Sequence, residues 1–201
     1  FDVSVLDSII NTTTPQGVYG LTAQEYGGNI HLAYYYGSEE EKWFLIHEVR
    51  KQGQLVSREE VQEFSGNVWE GAHSSIQFDE NGNPFIYCSF IANSDTKTIV
   101  FSKENNEWSP VDLGYKTVNT YLHSSGVPGQ DLGFVTLRKD FEINTNFEII
   151  DYFSYTDGGW SSEIVSTSDY LKTEPAAFHF DGEAYVAYIE AHPPDTTVLF
   201  I

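Results

Sequence analysis

The chain has 201 residues, 40% of them hydrophobic and 15% aromatic, which is enough apolar material for one domain with a core and excludes a disordered chain. Thirty acidic against ten basic residues give a net charge of −20. That argues against nucleic acid and anionic membrane as partners, since both demand Lys or Arg to replace counterions, while basic partners and divalent cations remain compatible. No segment has the apolar length to cross a bilayer, no signal-peptide pattern is visible, and the lack of any Met, position 1 included, points to a processed or excised chain.

Taken in order, Phe1 to Ile10 alternates apolar and polar residues as a half-buried strand does. Asn11 to Gln16 is a Thr-rich loop, and its Asn11-Thr12-Thr13 fits an N-glycosylation acceptor, a motif short enough to arise by chance. Strands are predicted near Val18–Gln24, Ile30–Tyr36, Lys42–Val49 and Leu55–Phe64, with a short helix competing only at Ser57–Gln62. A second set falls at Ser74–Phe78, Phe85–Ala92, Thr96–Ser102 and Trp108–Leu113. A third has inner strands reaching through Arg138 and Ile143, followed by Phe147–Tyr155 and Trp160–Val165. The last set is Ala176–Phe180, Ala184–Glu190 and Thr197–Ile201.

These sets are copies of one unit. Gly28-Asn29-Ile30-His31-Leu32-Ala33-Tyr34, Gly82-Asn83-Pro84-Phe85-Ile86-Tyr87-Cys88 and Gly182-Glu183-Ala184-Tyr185-Val186-Ala187-Tyr188 match one another, with Gly129 to Val135 a weaker fourth. The four glycines lie 54, 47 and 53 residues apart. After two of the hairpins a Ser is followed by a polar turn and then a Trp, at Ser102 to Trp108 and Ser154 to Trp160. A unit of about fifty residues and four strands is the length of a propeller blade, and stacked blades cover the faces that a lone four-stranded sheet leaves open.

The fold class read from this is all-β: a β-propeller of four blades of four antiparallel strands, one domain over 1–201. The blades fall at about 17–64, 71–114, 116–167 and 174–201, and Phe1–Ile10 supplies the outer strand that the last blade lacks. Pairing the two ends removes an exposed sheet edge; the alternative is a piece of a larger ring. The run Phe78-Asp79-Glu80-Asn81-Gly82-Asn83-Pro84-Phe85-Ile86-Tyr87, with the Trp that opens each outer strand, resembles extracellular bacterial and archaeal β-propeller repeats. Ser154-Tyr155-Thr156-Asp157-Gly158-Gly159-Trp160 resembles the Asp-box hairpin of sialidase-like propellers. It has an extra residue before Asp157, and the copy at 102–108 lacks the Asp. The resemblance implies the architecture and an extracellular or cell-surface location. It implies little about activity, because propellers host unrelated functions.

Chemistry is sparse. Asp79 to Asn83 alternates oxygen ligands as calcium loops do, but its Gly is fourth rather than sixth and no closing Glu follows, so a hairpin turn is the simpler reading and no cofactor is assigned. None of the six His has metal-site spacing; His31 and His47 lie in strands with ordinary alternation, whereas His73, His123 and His179 lie on innermost strands and could converge. Paired serines at 74–75 and 124–125 lack a nucleophile elbow. Cys88, the single cysteine, reads as a buried thiol. Carboxylates at Glu70, Asp131 and Glu174 near inner strands could serve glycoside hydrolysis, as any acidic protein's could. The inward arginines that the sialidase resemblance implies are missing: the three Arg, at 50, 58 and 138, are not on innermost strands. Trp108 and Trp160 recur with the repeat and are read as structural.

Aromatics at the channel mouth beside carboxylates can hold sugars or peptides. The candidate ligand-binding residues are therefore Tyr19, Trp69, Glu70, His73, Tyr121 and Glu174. The expected function is a non-catalytic recognition or scaffold domain binding glycan or protein at a channel mouth. A propeller glycoside hydrolase and a building block of a cell-surface assembly are the alternatives.

Overall fold

The computed structural model describes residues 17–37, 42–65, 73–92, 95–113, 122–124, 132–139, 148–156, 158–166, 171–181, 183–192 and 196–200. It is all-β. The first sheet runs β1 (Val18–Tyr26), β2 (Asn29–Gly37), β3 (Lys42–Lys51), β4 (Gln54–Ser65); the second β5 (His73–Phe78), β6 (Pro84–Ala92), β7 (Asp95–Glu104), β8 (Glu107–Asp112). The third runs β9 (Leu122–Ser124), β10 (Gly133–Lys139), β11 (Glu148–Thr156), β12 (Gly159–Ser166), and the fourth β13 (Leu171–Phe180), β14 (Glu183–His192), β15 (Thr196–Phe200). Each sheet is an antiparallel meander in chain order, and the four lie in a ring as the blades of a β-propeller. The fourth blade has three strands among the described residues, and the strand expected from Phe1–Ile10 lies outside them.

The turns are local chemistry. At 79–83 one oxygen of Asp79 accepts bonds from the backbone N–H of Asn81 (2.9 Å) and of Asn83 (2.7 Å), and the other accepts from the Asn83 side-chain amide at 2.8 Å. The carboxylate is consumed by the turn, which explains this sequence without a calcium ion. Asn105 and Asn106 both take positive φ (50° and 66°), the backbone of a tight hairpin turn, and Asn tolerates it better than most residues. The helix considered for Ser57–Gln62 does not form. That stretch pairs with β3, and β4 stays in register through two bulges, near Val61 and Val56.

The core lies between blades. Ala33, Tyr35, Leu45, Val61 and Phe64 of blade 1 pack on Ile76, Phe78, Ile86, Cys88 and Phe101 of blade 2. Phe85, Tyr87 and Val100 on the other face of blade 2 meet Phe134 and Phe153 of blade 3, and Val135, Leu137, Ile150 and Tyr152 meet Ala177 and Tyr188 of blade 4. Trp108 packs back against the first of these clusters, and Trp160 against the second, where its ring lies 5.6 Å from that of Tyr87 and 5.6 Å from that of Phe134. Each Trp therefore seals its blade to the preceding one.

Buried polar groups act as ties between blades. The Ser74 hydroxyl donates to blade 1 carbonyls, at Gly20 and, 3.2 Å away, at Ala33. Gln77 Oε1 accepts from the Tyr87 hydroxyl and, at 3.1 Å, from the backbone N–H of Gly133 in blade 3. Lys172, fully buried, donates its ammonium to the Glu148 carbonyl and its backbone N–H to the Glu148 side chain, each at 2.8 Å. Satisfying buried polar atoms in this way avoids a desolvation penalty of about 1–3 kcal/mol each.

Candidate functional site

A cleft of about 410 Å³ opens between blades 1 and 2, on the rim that carries the β5–β6 and β7–β8 turns. Three strands of blade 1 build one wall. His31 stands opposite Val49 and His47 opposite Ala33, while the next strand sets Glu59 opposite His47 and Ser57 opposite Val49. Directly paired residues share a face, so His31, His47, Val49, Ser57 and Glu59 all look toward blade 2. The other wall comes from blade 2: Phe78 and Pro84 flank the first turn, Lys103 lies near the end of β7, and Asn105 and Asn106 form the second turn.

A chain of hydrogen bonds crosses the cleft. Lys103 Nζ donates to both Glu59 oxygens at 2.7 Å. Glu59 Oε1 also lies 2.8 Å from His47 Nδ1, and His47 Nε2 lies 3.0 Å from His31 Nδ1. A carboxylate can only accept, so His47 Nδ1 carries the proton. Burial lowers the pKa of His47, opposed by Glu59, so the ring is neutral and its Nε2 is bare. That nitrogen must accept from His31 Nδ1–H. Burial, reinforced by His47 and opposed by Glu25, lowers the pKa of His31 to about 4. Burial alone would raise that of Glu59, but the bonds from Lys103 and His47 outweigh it and hold the carboxyl below its usual range. The net result at neutral pH is a compensated Lys–Glu pair and two neutral imidazoles.

Aromatic rings fix this geometry. The His31 and His47 rings lie nearly parallel, 19° apart with centroids 5.3 Å apart, and His31 meets Phe78 edge-on at 4.6 Å. His47 meets Trp108 edge-on at 5.5 Å, and the Lys103 ammonium lies 5.7 Å from the Trp108 centroid. Tyr26 stacks on Phe78 at 4.5 Å. At the rim the Asn105 and Asn106 amides are exposed and make no hydrogen bond among the described residues.

Of the residues expected at a channel mouth, Tyr19 and His73 have described side chains. Tyr19, 41% exposed, sits at the start of β1 with its ring 5.4 Å from Trp43. His73 opens β5, at the opposite end of that strand from Phe78; it is half-buried, and burial lowers its pKa. Neither lines the cleft. Glu174 falls in β13 at the register shift between Thr173 and Ala176, and Trp69, Glu70 and Tyr121 lie outside the described residues. Of the histidines considered together as ligands, His179 lies 3.5 Å from the Tyr152 hydroxyl, and among the described residues no group of three or more His, Cys, Asp or Glu is placed to hold a metal ion. Cys88 is buried, and burial pushes its thiol up to about 12. Arg50 and Arg58 lie on the third and fourth strands of blade 1, and Arg138 on the second strand of blade 3. In the sequence His31 and His47 read only as residues of ordinary strands, and Glu59 and Lys103 carry no signal, although the registered hairpins place the first three on one face.

Strand order and inter-blade packing thus define the chain as a β-propeller with a polar cleft between two blades. No known protein family matches the chain, and no curated protein sequence does. Among solved structures it is similar to the Hadza microbial sialidase Hz136, with a TM-score of 0.60 and 10% identity over 90% of this chain and 43% of the sialidase. The chain therefore spans less than half the length of that neighbour, and at this identity the likeness speaks to the fold alone. No family match accompanies the Asp-box resemblance of Ser154 to Trp160, whose Asp157 lies outside the described residues.

Proposed function

We propose that this propeller is a non-catalytic recognition domain, working outside the cell or at its surface, that binds glycan in the cleft between its first two blades. The observation that carries this reading is the cleft lining. Free amides at Asn105 and Asn106, a hydroxyl at Ser57, neutral imidazole and a small apolar surface from Val49 and Pro84 suit a polyol with both hydroxyl edges and C–H faces. The resemblance to extracellular propellers supports the location, and the charge of −20 disfavours nucleic acid as the ligand.

The cleft is poorly equipped for bond-breaking. Glycoside hydrolysis uses two carboxylates, one protonated and one free. The described lining holds one, Glu59, which is already engaged by Lys103 and His47. A titration of ¹⁵N-labelled protein with a panel of neutral methyl glycosides tests the reading, beside an assay of aryl-glycoside hydrolysis. Shifts confined to cleft amides, without hydrolysis, are expected. Turnover that survives Glu59→Gln and is lost on changing Glu174 would instead establish a hydrolase at the channel.

A further inference from the structure

We propose that the Glu59–His47 pair sets His31 as an acceptor-only contact that selects a ligand hydroxyl, making His31 the specificity-determining residue of the cleft. The inference rests on the glycan reading above and adds a direction to one of its hydrogen bonds.

Each proton along the hydrogen-bond chain has one place to sit. Glu59 accepts, so His47 must donate from Nδ1 and accept at Nε2. His31 must then donate from Nδ1. A neutral imidazole has one proton, so His31 Nε2 is bare. His31 lines the cleft, and its Nε2 makes no hydrogen bond among the described residues. Ring contacts with Phe78 at 4.6 Å and Tyr26 at 6.5 Å oppose a ring flip. Lys103 is what makes the device directional. It holds Glu59 ionised, and an ionised Glu59 can only accept.

An isolated histidine presents either tautomer to a ligand and discriminates little. One locked as an acceptor rewards a donor and leaves an unmet lone pair against a group that cannot donate. Sites built to hydrogen-bond a hydroxyl reject analogues lacking it far more strongly than apolar pockets reject a shape change. The groups facing His31 are His47 and Glu59 on its own blade, Glu25 on β1, and Lys103 from blade 2. Protonation of His31 would turn its acceptor into a donor, so the same contact is lost in acid.

The test has two arms. In the free protein, long-range ¹H–¹⁵N spectra of the histidine rings read the tautomers directly. A bare Nε2 on both His31 and His47 is expected, with Glu59→Ala releasing His31 to a mixture. In the second arm, methyl β-D-galactopyranoside and methyl β-D-glucopyranoside, with their monodeoxy and monodeoxyfluoro analogues, are titrated by NMR. Wild type should lose about 10- to 100-fold in affinity at one hydroxyl position, for deoxy and fluoro alike. His31→Phe should bind the parent sugar about as weakly as its analogues. Should Glu59→Ala fail to fold, the wild-type tautomers and His31→Phe still decide the matter. A proton on His31 Nε2 in the free protein, or an analogue penalty unchanged in His31→Phe, overturns this inference while leaving glycan binding in place. No binding of any sugar, with the tautomers as expected, overturns both and marks the failure as that of the glycan reading.

Discussion

Replacing Gly82 by Ala separates backbone strain from steric conflict at the edge of the cleft, because Gly28 provides a matched control. Both glycines sit in hairpin turns at nearly the same positive φ, +82° for Gly82 and +77° for Gly28. Forcing an L side chain into that region costs about 1–2 kcal/mol at either position. Around Gly28 a new Cβ meets nothing within 4 Å, whereas at Gly82 it would lie 2.5 Å from Tyr26 Oη and 2.8 Å from Tyr26 Cε1. Tyr26 must then move, giving up its stack on Phe78, and such a pair contributes about 0.5–1.5 kcal/mol beyond the area it buries. Gly82→Ala should therefore cost about 1.5–3.5 kcal/mol in urea unfolding and Gly28→Ala about 1–2. In a Tyr26→Ala background the two should converge, a coupling of about 0.5–1.5 kcal/mol in the double-mutant cycle. Equal costs in the wild-type background, or zero coupling, would refute the packing of the β5–β6 turn on blade 1.

Trp160→Ala should destabilise by about 3 kcal/mol, because the indole touches Phe85, Tyr87, Phe134 and Tyr155. Leu55→Ala, at the equivalent place in blade 1 and 55% exposed, should cost less than about 1 kcal/mol in the same denaturant series. Cys88 should be silent toward a thiol reagent in the native protein and react fully after denaturation, since its thiolate is disfavoured by burial; rapid native labelling would contradict the blade 1–2 core. Stability should fall as pH drops below about 6.5, where an unfolded His gains its proton, and go on falling toward 4, where the folded His31 does. The lowered pKa of Glu59 acts in the same direction at the acid end. His31→Gln should flatten that slope between pH 6.5 and 4, and an unchanged slope would show that His31 is not held neutral.

The blades were legible in the sequence because their signals are local. The Asp79-to-Asn83 turn, the alternation on either side of it and the spacing of Trp108 and Trp160 each act within a few residues. The strands predicted from them fall within a few residues of β1 to β8. The cleft was not legible because it depends on register between strands. Glu59 faces His47 only because bulges near Val61 and Val56 absorb an extra residue on either side, and nothing in the local sequence announces a bulge. Pairing Gly37 with Trp43 would already have put His31 and His47 on one face, diagonal neighbours across two strands. Lys103 was hidden for another reason. It belongs to the recurring Ser102-to-Trp108 turn, whose repetition explained the residues around it without asking where each side chain reaches. The channel-mouth residues were chosen from their places at strand starts, and Tyr19 and His73 occupy those places, on the rim away from the cleft.

Whether glycan sits in the inter-blade cleft is decided by a crystal structure of the protein soaked with the methyl glycoside that titrates best. Sugar density is expected between Asn105, Asn106 and His31, with a ligand hydroxyl within hydrogen-bonding distance of His31 Nε2. Density at the rim of Tyr19 and His73 with the inter-blade cleft empty would contradict that placement.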